Sequence, residues 1–246
     1  MGGGELALIL VAVLTGGLVK SITGMGLPII AIPVISLFVD PATAIAVLAL
    51  PNSLQNLTIA VRHRSHVSDT RGLALFCTTG IVGAGAGTLT LGVVPERVTL
   101  SILLVAVVAY LAQALTRPDL QVPDRLVARL TPITGALAGM FQGAVGISGP
   151  IVGSWHHGLR LTREAFVLSV TTVFLLTGGT QLVVLSVRGD LADVWAPSLL
   201  VAAVVLTTVP IGARLRHRLS GPRFNAMVLT LIAASCVGLA LEVAGI

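Results

Sequence analysis

Polar and charged residues are rare along this chain, and they cluster so as to cut it into apolar runs at 42–61, 72–95, 98–116, 164–187, 195–213 and 224–246. Each run is close to the ~20 residues that a helix needs to cross a ~30 Å hydrocarbon core. Two stretches break the pattern. Residues 17–33, GLVKSITGMGLPIIAIP, place a lysine, small polar residues and a Gly-Met-Gly-Leu-Pro turn signal in apolar surroundings, and residues 139–150, GMFQGAVGISGP, do the same with glutamine and serine. The apolar segments on either side of these breaks, Leu6–Val19, Leu27–Val39, Ile133–Gln142 and Ile151–His157, are too short to span comfortably alone. They predict two hairpins of short helices whose tips, Thr23–Pro28 and Val145–Pro150, lie at membrane depth. Irregular backbone is tolerated there only when buried in protein or lining a wet cavity.

The two breaks are copies. With residue 17 set over 139, Gly17 meets Gly139, Lys20 meets Gln142, Gly24 meets Gly146 and Pro28 meets Pro150, and spans follow each copy in the same order. Arginine placement orients the halves. If each break region makes an even number of crossings, loops 62–71, 117–129, 160–163 and 214–223 share one side and hold twelve arginines, against only Arg97 and Arg188 opposite. Single crossings would instead divide the arginines evenly, against the positive-inside rule. The expected fold is therefore an all-α polytopic membrane protein of two inverted repeats. Each repeat is a hairpin of short or broken helices followed by three transmembrane helices: 1–116 and 130–246, joined by a cytoplasmic linker at 117–129. Both termini are expected on the non-cytoplasmic side. Duplicated chains of this sort are characteristic of secondary transporters, with the site where the halves meet.

Composition narrows the function. Of 246 residues, 55% are hydrophobic and 10% charged, where soluble domains carry about 25% charged residues. The mean hydropathy is +1.00. The basic balance reflects arginines at loop ends, without the aromatic residues of a nucleic-acid surface. Met1–Gly17 has no basic n-region and an acidic Glu5, so a cleaved signal peptide is not expected. Cys77 and Cys236 fall within apolar runs and read as packing residues. No His/Cys/Asp/Glu cluster has metal-ligand spacing, and no cofactor is expected. Gly83, Gly85 and Gly87 suit close helix packing, not a nucleotide loop. An enzyme would need a nucleophile with its base, or paired carboxylates, at membrane depth. Lys20 is the one convincing charge there, which argues against an enzyme.

The tips suggest an anion site made of backbone. Proline suits a first helical turn, so Pro28 and Pro150 start helices whose free N–H groups and positive dipole ends face the cavity. Gly24, Gly26, Gly146 and Gly149 let a ligand approach, with Met25 between the first pair. Lys20 is either the charge partner of an anion or a snorkelling residue paired with a carboxylate such as Glu5. Gln142 either donates to the ligand or bonds between helices. Ser21, Thr23 and Ser148 either add hydroxyl donors or bond back to their own helices. Asn52 and Gln55, three apart beyond Pro51, share a helix face and either look at the site or clasp a neighbouring helix, as do Thr171, Thr172 and Gln181 in the second half. His156 and His157 are candidates for proton coupling, against the alternative of a solvated helix end.

The stretches GLVKSITGMGLPIIAIPVI, PATAIAVLALPNSLQNLTIAVRHRSHV, GIVGAGAGTLTLGVVPERV, GMFQGAVGISGPIV and VPIGARLRHRLSGPRF resemble the sulfite exporter TauE/SafE family, also called the toluene sulfonate uptake permease family. The resemblance covers nearly the whole chain, although Met25, Leu27 and Ser148 interrupt the consecutive glycines common at the family's tips. It implies transport of sulfite, sulfoacetate or other organosulfonates across a cell membrane, the bacterial inner membrane, coupled to a proton or another ion such as sodium. The implied partners are the small anion and the lipid bilayer, with a homodimer as the form common among such carriers and no nucleic acid. An anion channel and a non-transport membrane subunit with the same packing glycines are the alternatives.

Overall fold

The computed structural model describes residues 3–91 and 122–218, together with helical positions 97–98, 101, 104–105, 108, 112, 222–223, 226, 230, 233, 237–238 and 240–241. The expected spans 98–116 and 224–246, the first residues of the 117–129 linker and Cys236 lie largely or wholly outside the described residues. Among the described residues the chain is helical: α1 Gly3–Thr23, α2 Leu27–Ser36, α3 Pro41–His63, α4 Leu73–Thr90, α5 Asp124–Val145, α6 Gly149–Gly158, α7 Arg163–Arg188 and α8 Trp195–Arg218, with a 3₁₀ turn at Arg64–Asp69. Among the described residues five stretches are long and apolar enough to cross a membrane: Gly4–Thr23, Pro41–Asp69, Leu73–Thr90, Arg163–Arg188 and Trp195–Arg216.

The helix breaks fall where the glycines stand, with Gly24–Gly26 separating α1 from α2 and 146–148 separating α5 from α6. The first arms of the hairpins are longer than their apolar segments suggest. α1 has 21 residues and α5 has 22, beginning inside the stretch read as the linker. Helix needs backbone hydrogen bonds rather than unbroken hydropathy. Glu5 in the first turn of α1 and Lys20 in its last turn both suit the helix dipole, as does Asp124 at the start of α5. Only the second arms, α2 and α6, are short, at 10 residues each.

Contacts between neighbours give the directions. Gly17 faces Thr208 and Gly212 faces Ser21, so α1 and α8 run the same way. Gln55 reaches Thr208 and His63 reaches Arg216, which adds α3 to that set. Gly80 abuts Gly139 and Gly143 abuts Ala84, so α4 and α5 run together, and the pairs Gly80–Thr177 and Thr88–Arg188 bring in α7. Gly178 sits beside Asn52 and Ser53 where α3 and α7 cross. The helix pairings recur with the halves exchanged, α1 with α8 as α4 with α5, and α3 with α8 as α4 with α7. By these directions, Arg62 to Arg71, Arg125, Arg129, Arg160, Arg163 and Arg214 to Arg218 gather at one end of the bundle, and Arg188 marks the other.

Small residues hold the tightest pair. A methyl group on Gly139 would collide with the Gly80 carbonyl, and one on Gly83 with that of Ala136. Glycine therefore lets the backbones of α4 and α5 touch, the means by which helices associate in lipid. The core between the halves collects Leu27, Ile32, Ile45, Leu48, Val152, Val170 and Phe174, all buried.

Candidate functional site

Each tip is set by a few backbone choices. At the first, Gly24 (φ +89°) and Gly26 (φ +132°) adopt left-handed conformations that side chains disfavour. The Gly24 N–H closes α1 onto the Lys20 carbonyl at 2.7 Å. The Thr23 hydroxyl lies 3.0 Å from the Val19 carbonyl and 2.8 Å from that of Met25, and it accepts from the Met25 N–H at 3.3 Å. At the second, Gly146 (φ +71°) ends α5 with its N–H on the Gln142 carbonyl at 3.0 Å. Gly26 and Ser148 are the N-caps of α2 and α6, and neither helix start has a side-chain cap. First-turn N–H groups have no partner within their helix, so the two starts present bare amide donors.

The two tips meet at one cavity of about 10 Å³, bordered by Lys20, Met25, Gly26 and Pro28 from one half and by Gln142, Gly146, Ile147, Ser148 and Gly149 from the other, with Ile29 and Phe174 completing it. That is space for one water. Lys20 is wholly buried. Its ammonium donates to Asn52 Oδ1 at 2.6 Å and lies 4.9 Å from the centre of the Phe174 ring. An ammonium has three donors, and among the described residues no carboxylate pairs with this one, Glu5 included. Glu5 lies fifteen positions back along the same helix.

Gln142, the counterpart of Lys20, organises the second tip. Its Nε2 donates to Gln181 Oε1 at 3.2 Å, and its Oε1 accepts from the Ser148 hydroxyl at 3.0 Å. Gln181 in turn donates to the carbonyls of Gln142 at 2.8 Å and Gly143 at 3.2 Å. A second cavity, also about 10 Å³, adjoins the first along Pro28, Asn52, Gln142, Gly146 and Gln181. A third, of about 280 Å³, opens toward the arginine-poor end between Ala42, Thr43, Ala46, Leu91, Leu185, Arg188 and Asp190. Ala42, Ala46, Ala49 and Asn52 on α3, and Arg188, Leu185 and Gln181 on α7, are successive turns of their helices. The three spaces therefore form one line from that end to the tips.

Of the residues singled out in sequence, Lys20, Met25, Gly26, Pro28, Asn52, Gln142, Gly146, Ser148, Gly149 and Gln181 come together here. The others do not border the tip cavity. Gln55, rotated from Asn52 on α3, donates to the Gly17 carbonyl at 2.8 Å and Ser21 Oγ at 3.0 Å, while Ser21 Oγ lies 3.2 Å from Thr208 Oγ1. These groups clasp α1, α3 and α8. Gly24 packs on Val167, Val170 and Thr171, and Pro150 is buried within its own helix. Thr171 bonds back to Val167, as a membrane-helix hydroxyl does. His156 corrects the reading of a solvated helix end. It is fully buried, 5.0 Å from the Phe76 ring centre, with Nδ1 2.8 Å from the Val152 carbonyl and Nε2 without a partner. α6 packs against α7 and turns this side chain inward, while His157, the next position round, is partly exposed. Phe174 and Arg216 were not anticipated. A lone phenylalanine in an apolar run carries no signal, and Arg216 reads as one of a loop's basic residues.

Fold and site together define a multi-pass membrane protein with a small cavity, bordered by Lys20, Gln142 and Ser148, between two helix-start tips. The family model described as Sulfite exporter TauE/SafE matches residues 8–239, nearly the whole chain, and the chain belongs to that family. It thus falls among membrane transporters of sulfur anions. No curated protein and no solved structure matches the chain.

Proposed function

We propose that the protein is a secondary transporter that holds a small sulfur-containing anion, such as sulfite, sulfoacetate or another organosulfonate, between its two tips and moves it by alternating access. One observation carries this reading: a buried lysine and two uncapped helix starts converge on a single cavity. A tetrahedral or pyramidal oxyanion would take N–H donors from both helix starts, charge from Lys20 and a neutral donor from Gln142. Neutral Asn52 Oδ1 now occupies the ammonium, and an anion would displace it at little electrostatic cost.

The reading includes motion. The tip cavity has room for only one water, so it has to widen to admit an oxyanion. Opposite directions of α1, α3 and α8 against α4, α5 and α7 support an inverted repeat, in which one half rocks against the other around a fixed site. The 280 Å³ space beside Arg188 is then the nearer route of access. The unpartnered Nε2 of His156 makes it the candidate for a coupled proton. We place the protein in the bacterial inner membrane with both termini non-cytoplasmic.

Purified protein titrated with sulfite, sulfoacetate, taurine, sulfate and chloride tests the reading. A ligand at 100 times its Kd adds about 2.7 kcal/mol of stability. Stabilisation by a sulfur anion that is lost in Lys20→Ala and Gln142→Ala, followed by saturable gradient-driven uptake in liposomes, is the expected result. Non-saturating flux would favour a channel, and no response to any sulfur anion would remove the substrate class.

A further inference from the structure

Arg216, near the arginine-rich end of α8, is only 4% exposed and has no carboxylate partner among the described residues. Its guanidinium reaches the Ser21 carbonyl in the last turn of α1 and Nε2 of His63 at the end of α3, and its Nε is buried without any acceptor. His63 Nδ1 lies 2.8 Å from the Ile59 carbonyl. That contact requires the proton on Nδ1, which leaves Nε2 as a neutral acceptor for Arg216. Of the charged side chains acting on Arg216, Glu164 attracts it most while Arg163 and Arg62 repel it, and among the described residues no carboxylate stands within ion-pair distance. Arg163 also donates to the Arg216 carbonyl at 3.0 Å, which ties the start of α7 to the same point.

A buried guanidinium whose hydrogen-bond partners are all neutral, with Glu164 out of ion-pair contact and two further arginines nearby, is only partly compensated. Its rigid fork of donors matches the oxygens of an oxyanion, which a carbonyl and an imidazole fill only in part. Its place is equally informative. Ser21 adjoins Lys20, so the guanidinium holds the residue next to the tip lysine, on the side away from the 280 Å³ space.

We infer that Arg216 is a second anion-binding residue, a station for a small oxyanion on the arginine-rich side of the tips, where the anion replaces His63 on the guanidinium. The inference rests on the reading of this chain as an anion carrier. It assigns Lys20 the central position and Arg216 the next one along the path. Release of His63 from Arg216 by the arriving anion would loosen α3 from α8 at that end.

Equilibrium binding of radiolabelled sulfite to the purified full chain, with sulfate as competitor, separates the two stations. Two sulfites per wild-type chain are expected, one remaining in Arg216→Gln and one in Lys20→Gln. Arg216→Lys, which keeps charge but loses the fork, should hold two with the second weakened about tenfold or more. Melting in chloride checks that each variant is folded, and His63→Gln, which preserves a neutral acceptor, should retain both sites. Loss confined to Lys20→Gln, with Arg216→Gln unchanged, overturns the second station and leaves the carrier reading intact. Loss confined to Arg216→Gln keeps the station and removes the tips as the central site. Absence of sulfite binding in the wild type overturns both.

Discussion

The Lys20 ammonium, from the last turn of α1, donates to Asn52 Oδ1 midway along α3 at 2.6 Å, and both residues are buried beside the tips. The lysine is thus held ready by a neutral oxygen rather than neutralised by a carboxylate. A carboxylate would compete directly with an anionic substrate; an amide can give way.

Lys20→Met should therefore separate binding from stability. Replacing a buried charge by an apolar side chain of similar length is often neutral or stabilising, so the melting temperature should hold or rise while sulfite binding at the tips and uptake vanish. Asn52→Ala should do the reverse to stability, lowering it by roughly 1–3 kcal/mol because the ammonium is left without its acceptor. Thermal melting in detergent beside liposome uptake reads both. A large loss of stability in Lys20→Met would show that the lysine is chiefly structural.

At the first tip, Gly26 has φ +132°, and a methyl group there would lie 2.8 Å from Val19 Cγ1. Gly26→Ala should cost about 1–3 kcal/mol through forced backbone alone. It should also weaken anion binding, because the start of α2 moves off the cavity. Normal affinity in a destabilised Gly26→Ala protein would disconnect the amide donors of that helix from the site.

Close packing and open space give opposite outcomes for one chemical change. Gly139→Ala would drive a methyl group into the Gly80 carbonyl, whereas a methyl group on Gly179 meets nothing within 4 Å. The first should cost 1–3 kcal/mol or roughly so; the second should add up to about 1 kcal/mol through helix propensity. Paired melting curves decide it, and equal shifts would refute the close α4–α5 approach.

Arg188 borders the 280 Å³ space, with Asp190 2.9 Å away and the Thr88 carbonyl 3.0 Å away. If this space admits the anion, Arg188→Gln should raise the KM for uptake severalfold with little change in maximal rate, since the charge steers encounter. Asp190→Asn should lower it. An unchanged KM in both variants would move the entry route elsewhere.

Asp40 caps α3, accepting from the Thr43 N–H at 3.0 Å and the Thr43 hydroxyl at 2.5 Å. These bonds hold its carboxyl below the usual carboxylate range. Its contribution is thus complete at neutral pH, above the unfolded value of ~3.9, and is lost as pH falls through the lower folded value. Asp40→Ala should cost about 1 kcal/mol at pH 7 and progressively less in acid. A pH-independent difference in melting would contradict the capping role.

Local chemistry along the chain determined the membrane class, the positions of the tips and the pairing of Lys20 with Gln142. Hydropathy, proline and glycine act within a few residues of themselves, and Gly24, Gly26 and Gly146 broke the helices where they stand. Helix length was less legible, because Asp124–Arg129 joins α5 despite its charges. Tertiary structure alone decided which way each polar side chain faces. Asn52 and Gln55 are three residues apart on one helix, yet one holds the tip lysine and the other clasps α1 to α8. Three residues leave a turn incomplete by some 60°, enough to point the two amides at different neighbours. The same holds for Phe174 over the lysine and for Arg216 beneath Ser21, whose partners lie more than 150 residues away. Such distant contacts come from packing between the halves, which no short stretch of sequence encodes.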